Sequence, residues 1–253
     1  MLAEERFSAI MRLMEHQGSV SVSELTEYLG VSESTIRRDL AELHERGSLK
    51  KVHGGATPIK INHITTNDML STRAKMNTDI KQRLAKYAAT LINEDDFVFL
   101  DSGTTIDFLV DALSVTHCHF VTNNLISACK LAELGNTVHV LGGTLDPTIS
   151  ATIGSDAYLD LKRYNFTLGF FGVNGIHRRS GFSTPYPADA IVKQEAIKQC
   201  KASYIIADPT KFDCIANVTF ASLNDATIIT TEVPDTAWRS AASIIEVAHI
   251  DDP

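Results

Sequence analysis

Along the first part of the chain, apolar residues recur at helical spacing in three short runs, each closed by a glycine. Phe7, Ile10, Met11 and Met14 share one face ahead of Gly18. Ser21 and Glu24 stand at capping-box spacing before Leu25, Leu29 and Gly30. Ser32 then caps a third helix, with Ile36, Leu40 and Leu43 turned inward and Gly47 as its stop. The residues after it, SLKKVHGGA, read as two extended pieces about a Gly-Gly turn, a small hairpin.

Residues 57–76 are polar and weakly periodic and are expected to be a linker. A helix is predicted at about 78–92 from Ile80, Leu84, Ala88 and Leu91 on one face. Beyond it, strand-sized apolar runs alternate with helical ones. FVFL at 97–100, HFVT at 119–122, TVHVLGG, TLGFFGVNG, SYIIAD at 203–208 and ATIIT at 226–230 are the strands. LISACKLAEL and a stretch at about 188–200 are among the helices. That alternation predicts an α/β domain on a largely parallel sheet. The expected organisation is a winged helix-turn-helix over 1–56, a linker over 57–76, and an α/β domain over 77–253.

Charge changes the picture. The 253 residues carry a net charge of −8, which argues against a protein that coats nucleic acid non-specifically. The first sixty residues hold eight Lys/Arg against nine Asp/Glu, so nearly all of the negative charge lies in the remainder. No apolar run approaches the roughly 18 residues of a membrane span, and the N-terminus has acids where a signal peptide has lysines and arginines. Cys118, Cys129, Cys200 and Cys214 lack metal or disulfide-framework spacing and are expected to be reduced thiols. A soluble cytoplasmic protein is expected.

With Ile36, Leu40 and Leu43 buried, Ser34, Thr35, Arg37 and Arg38 fall on exposed faces of the third helix's first turns, next to Ser32. A helix N-terminus favours anions, and arginine's forked donors suit phosphate oxygens and guanine edges. Asp39, Glu42 and Glu45 make the other half acidic, so the helix is expected to meet DNA by its N-terminal end. Lys50, Lys51 and His53 on the hairpin are expected to reach phosphates. The competing explanation is that the arginines pair with acids one turn away, which accounts for neither the turn glycine nor the hairpin lysines.

In the second domain, Asp101, Ser102, Gly103, Thr104 and Thr105 follow a strand and open a helix. Backbone N–H groups and hydroxyls there suit a phosphate, and equally an ordinary helix cap. Other loops after strands carry Thr122, Asn123 and Asn124, then Gly142 and Gly143, then Asn174 and Gly175, and finally Lys211. Ligands of parallel α/β sheets bind beyond such strand ends. The glycines are also plain turn residues. Lys193 is either a ligand contact or a surface helix lysine. His117 and His119 share a strand face but lack partners for a tetrahedral metal site, so no metal is expected.

The run from Arg6 through STIRRDL to KKVHGGA, followed by DSGTT, TNN, GG, FFGVNGI and ADPTKF, resembles the DeoR family of bacterial sugar-operon repressors over nearly the whole chain. Within that family the chain is most similar to fructose-operon repressors of Gram-positive bacteria. The resemblance implies operator DNA and a sugar-phosphate effector as partners, no cofactor, and a homo-oligomer, dimer or tetramer. It also implies an α/β domain similar to ribose-phosphate isomerase and glucosamine-phosphate deaminase. Fructose 1-phosphate is the first candidate effector and tagatose 6-phosphate the second.

The alternative is a sugar-phosphate isomerase with an accessory DNA-binding head. Those isomerases carry acids where this chain has Phe171, Gly172, Val173 and Asn174, and proton transfer needs a carboxylate base. Asp189 stands where the family has Glu and is the remaining candidate, so the pocket is expected to sense rather than to catalyse.

Overall fold

The computed structural model describes residues 1–59, 62–66, 70–115 and 117–248 and divides into two compact units. One comprises residues 1–61 with 235–241; the other holds the rest.

The head contains α1 (Ala3–Gln17), β1 (Val20–Ser21), α2 (Val22–Leu29), α3 (Glu33–Glu45), β2 (Lys50–Val52) and β3 (Gly55–Thr57). The capping signals act as their spacing demands. Ser21 and Glu24 bond each other's backbone N–H groups, and the Ser32 hydroxyl accepts from Thr35 N–H. Gly18 and Gly30 close their helices in the left-handed region. Ile10, Leu25, Ile36, Leu40 and Leu49 are fully buried together.

The expected hairpin β2–β3 gains a third strand, β1, which pairs antiparallel with β3. This pairing requires glycine at 55, where a Cβ would stand 2.1 Å from the Val20 carbonyl oxygen. Gly55→Ala is therefore expected to push β1 off the wing and cost about 1–3 kcal/mol in urea unfolding. A wild-type midpoint would contradict the close approach.

The second unit begins with β4 (Asn62–Ile64), α4 (Leu70–Lys75), α5 (Thr78–Ala89), β5 (Phe97–Leu100) and α6 (Thr104–Ala112). It continues through β6 (His119–Thr122), α7 (Leu125–Glu133), β7 (Thr137–Val140), β8 (Thr144–Asp146), β9 (Ala151–Ile153), α8 (Ser155–Leu161) and β10 (Phe166–Phe171). After these come β11 (Gly175–His177), β12 (Gly181–Thr184), α9 (Pro187–Lys198), β13 (Cys200–Ile206), β14 (Cys214–Ala216), β15 (Val218–Ala221), β16 (Thr227–Thr230) and β17 (Ile244–Glu246). The chain between these last two strands contributes α10 (Trp238–Ala241) to the first unit, where it packs on α3.

The segment expected as a linker thus carries structure. Its β4 pairs in parallel with β14, and α4 packs on α6. Strand pairing with residues 152 positions away, which local sequence does not encode, is what orders it.

Seven parallel strands form the main sheet in the order β17-β16-β13-β10-β5-β6-β7. Val98 and Leu100 of β5 pack with Leu84, Ala88, Ile106 and Leu109 of α5 and α6. Phe99 points the other way, to Phe166 and Phe171. Burial on both faces is why inner strands such as β5 and β16 read as apolar runs, whereas the edge strand β7 is mostly exposed. From β5 the chain builds outward through β6 and β7; it then returns to β10 on the other side of β5 and builds outward through β13, β16 and β17. The crevice between the C-terminal ends of β5 and β10 is the sheet's topological switch point, where ligands of such folds bind.

Candidate functional site

A cleft of about 690 Å³, including its solvent-open mouth, lies at that switch point. Ser102, Gly103, Thr104 and Thr105 line it from the β5–α6 loop, and Gly172, Val173 and Asn174 line it from the end of β10. Lys193 of α9 and Lys211, in the short helical turn Pro209–Lys211, complete the part foreseen from sequence.

Two residues that sequence reasoning passed over dominate one end. Lys81 of α5 is 4% exposed, and its Nζ donates to Thr104 Oγ1 at 3.1 Å and to the Arg73 carbonyl oxygen. Arg73, from the supposed linker, lines the same cleft. Burial lowers the Lys81 pKa, Asp208 opposes this, and Lys211 and Arg73 lower it further. Three cations and two carboxylates, Asp208 and Asp107 of the first turn, therefore gather at the N-terminus of α6. The signal for Lys81 was present in the sequence. The expected face packs on the core through Ile80, Leu84, Ala88 and Leu91, and Lys81 is buried beside it with Ala85, a charge on an apolar face.

The other end is built on a buried ion cluster. Lys193, only 3% exposed, donates to Asp101 Oδ2 and stands 3.5 Å from Asp189 Oδ1. It is not the surface lysine that sequence also allowed. Gly172 N–H donates to Asp101 Oδ2 at 2.9 Å, so Asp101 ties β5 to β10 from beneath the cleft instead of lining it. Burial pushes Asp101 up to about 6 against the pull of Lys193. Burial alone would lower Lys193; Asp101 and Asp189 more than reverse that and keep it charged.

Several foreseen residues lie elsewhere. Asn124 caps α7, accepting from Ile126 and Ser127 N–H and donating to Asp107. Thr122 Oγ1 accepts from Asn124 N–H, and Asn123 Nδ2 donates to the Thr152 carbonyl. All three are buried and their bonds hold β6, α7 and β9, while Asn123 Oδ1 makes no hydrogen bond among the described residues. Gly142 donates to Asp160, while a Cβ on Gly143 would stand 2.5 Å from the Ile153 carbonyl oxygen, so this pair makes room for the β8–β9 hairpin. A Cβ on Gly175 would stand 2.6 Å from the Cys214 carbonyl oxygen, which makes it a packing glycine. None of the six is among the described residues lining the cleft.

In the head, Ser32, Ser34, Arg37 and Arg38 are exposed and Thr35 is half-buried at the start of α3; Lys50, Lys51 and His53 are exposed on the wing. The hydroxyls of Ser34 and Thr35 bond that of Ser32, at 2.8 and 2.9 Å. Arg37 Nη2 meets Glu33 Oε2 at 3.0 Å, with both side chains more than half exposed. Asp39 departs from expectation. It is buried and accepts both Nε and Nη2 of Arg6, at 2.6 and 2.9 Å, so it fastens α1 to α3 rather than adding to an acidic surface.

All four cysteines are free, and burial pushes Cys200 up to about 12, far from thiolate chemistry at neutral pH. Among the described residues, no cluster of His, Cys, Asp and Glu is placed to hold a metal, and no helix is long and apolar enough to cross a membrane.

Two family models match: the DeoR-like helix-turn-helix domain over residues 6–62 and the DeoR C terminal sensor domain over residues 76–233. The chain belongs to the DeoR family. It is 39% identical over 236 residues to a Bacillus subtilis protein named "Uncharacterized HTH-type transcriptional regulator FruR", covering 93% of each chain. It is 32% identical to the HTH-type transcriptional regulator GlpR of Haloferax volcanii, over 92% of this chain and 91% of that one. It is 30% identical to the lactose phosphotransferase system repressor of Streptococcus mutans, over 93% and 94%. Among solved structures, ribose 5-phosphate isomerase A from Neisseria gonorrhoeae aligns with 59% of this chain and 56% of its own at 16% identity and a TM-score of 0.40. This DeoR-family chain is a DNA-binding transcriptional regulator, with its helix-turn-helix in the first unit and its sensor domain in the second.

Proposed function

We propose that this regulator represses a sugar-utilisation operon and that its sensor domain binds a phosphorylated sugar in the switch-point cleft. Lys81 is the observation that carries the reading. A buried ammonium gathered with Lys211 and Arg73 at a helix start is only partly offset by Asp208 and Asp107, and an anion would offset the positive charge in excess. A phosphate there accepts from α6 N–H groups, from the Ser102, Thr104 and Thr105 hydroxyls, and from Lys81 and Lys211. Asn174 and Lys193 face the sugar. Thr122, Asn123, Asn124, Gly142, Gly143 and Gly175 act by shaping the fold around the cleft. The sensor domain begins with β4, so the region between the domains is shorter than residues 57–76.

Operator contact falls to Ser32, Ser34, Thr35, Arg37 and Arg38 on α3 and to Lys50, Lys51 and His53 on the wing. A homo-oligomer, dimer or tetramer, presents two heads to adjacent major grooves, which raises affinity beyond that of one nearly neutral head. Effector binding favours a state of weaker operator affinity. The relatives named FruR and lactose phosphotransferase system repressor support a regulator of sugar use. On the resemblance to fructose-operon repressors, fructose 1-phosphate is the first candidate effector and tagatose 6-phosphate the second. The isomerase alternative needs a carboxylate base. Asp101 is bound by Lys193 and Gly172 and Asp208 by Thr210, while Asp189, the remaining candidate base, is held by Thr184 and paired with Lys193 at 3.5 Å. We read the cleft as one that senses, and turnover of ketose phosphates in an isomerisation assay would overturn that reading.

The test is a gel-shift titration on a duplex selected by the protein from random sequence, with and without each sugar phosphate. Release by one of them is expected; no effect of any on DNA affinity would overturn the reading. On the same duplex, Lys51→Ala is expected to weaken binding equally for cognate and mismatched sequences and to lower the salt slope by about one. Altered base preference at an unchanged slope would make the wing a base reader.

A further inference from the structure

The end of the cleft opposite Lys81 holds an acceptor without a donor. Asp189 lines the cleft at 4% exposure, with its Oδ2 accepting from Thr184 Oγ1 at 2.7 Å. Its Oδ1 makes no hydrogen bond among the described residues; the nearby Lys193 Nζ pairs with it across 3.5 Å, longer than a good hydrogen bond, and leaves room for a closer donor. A buried carboxylate oxygen left in this way is rare and calls for a donor from outside the chain. The charge at this end is also the reverse of that at the other. One ammonium, Lys193, stands among two carboxylates, Asp101 and Asp189, whereas the three cations Lys81, Arg73 and Lys211 outnumber the two carboxylates Asp208 and Asp107 at the start of α6.

We propose that the cleft is polar end to end and selects a sugar monophosphate over a bisphosphate, with Asp189 Oδ1 accepting from a hydroxyl at the unphosphorylated end. This rests on the effector reading above and adds the class of ligand. A hydroxyl supplies the missing donor. A second phosphate brings oxygens that only accept, and negative charge, against a wall with one carboxylate in excess. Thr184 fixes the rotamer of Asp189, so the wall does not turn away.

The experiment is isothermal titration of the full-length protein with inorganic phosphate, fructose 1-phosphate, fructose 6-phosphate and fructose 1,6-bisphosphate, on the wild type and on Asp189→Asn. In the wild type the better monophosphate is expected to bind about tenfold or more tightly than the bisphosphate, because like charges at a buried wall discriminate strongly. In Asp189→Asn, whose amide donates and carries no charge, the ratio is expected to fall towards one. If the variant does not fold, Thr184→Val, which frees the carboxylate from its donor, is expected to narrow the ratio. A wild-type bisphosphate affinity equal to or above that of both monophosphates overturns the proposal, as does a ratio that the folded variants leave unchanged. In either case, inorganic phosphate binding that is lost in Lys81→Met leaves the effector reading standing. If neither phosphate nor any of the sugar phosphates binds, the effector reading falls and takes this inference with it.

Discussion

Lys81→Met is expected to remove the thermal stabilisation of this protein by its sugar phosphate. Methionine fills nearly the same channel along α5, so packing is kept while the charge and its bonds to Thr104 Oγ1 and the Arg73 carbonyl are lost. A lost charge-assisted contact costs about 1.5–3 kcal/mol, which moves the effector response by about one to two decades. The unliganded protein is expected to melt near the wild-type temperature, because repulsion with Lys211 and Arg73 is relieved as the hydrogen bonds go. That pairing of outcomes separates a ligand-binding lysine from a structural one, whose loss would lower the unliganded melting temperature and leave the ligand shift intact. Thr104→Val and Lys211→Ala act on the same end and are expected to give the same loss. Should all three keep a wild-type shift, the phosphate lies elsewhere.

Arg37→Ala and Arg38→Ala are each expected to weaken operator binding by about 1–3 kcal/mol and to relax base preference at the positions they read. Neither side chain is part of the buried core of the head, so the folded state is expected to be unchanged by circular dichroism. The Arg37–Glu33 pair does not compete seriously. An exposed i,i+4 bridge is worth tenths of a kcal/mol, and a phosphate or a guanine edge outbids it. Unchanged affinity in both single variants would remove α3 from the interface.

The head was almost wholly legible because its determinants are local. Helix stripes, a capping box and left-handed glycines lie within a few residues of what they control, as at Ser21–Glu24 and Gly30. What escaped there was non-local: β1 joining the wing across residue 55, and Asp39 turned inward to reach Arg6, 33 positions earlier. Periodicity on a single helix does not reveal a partner on another.

In the sensor domain the alternation of apolar strands with amphipathic helices by itself determined a parallel α/β sheet, and the DSGTT segment by itself marked a helix start carrying hydroxyls, open to a phosphate and to a plain cap alike. Only the tertiary structure decided which loops share a cleft. Strand order puts β5 beside β10, so Ser102–Thr105 and Asn174 meet; β6 and β7 lie farther out, and the Thr122–Asn124 and Gly142–Gly143 loops are left to caps and close packing. Loop composition is the same in both cases, since hydroxyls, amides and glycines serve turns and ligands alike. Lys81 and Arg73 entered the cleft from a helix face and from a segment that reads as polar linker. A buried charge declares its role only through the groups around it, and those come together when distant parts of the chain pack.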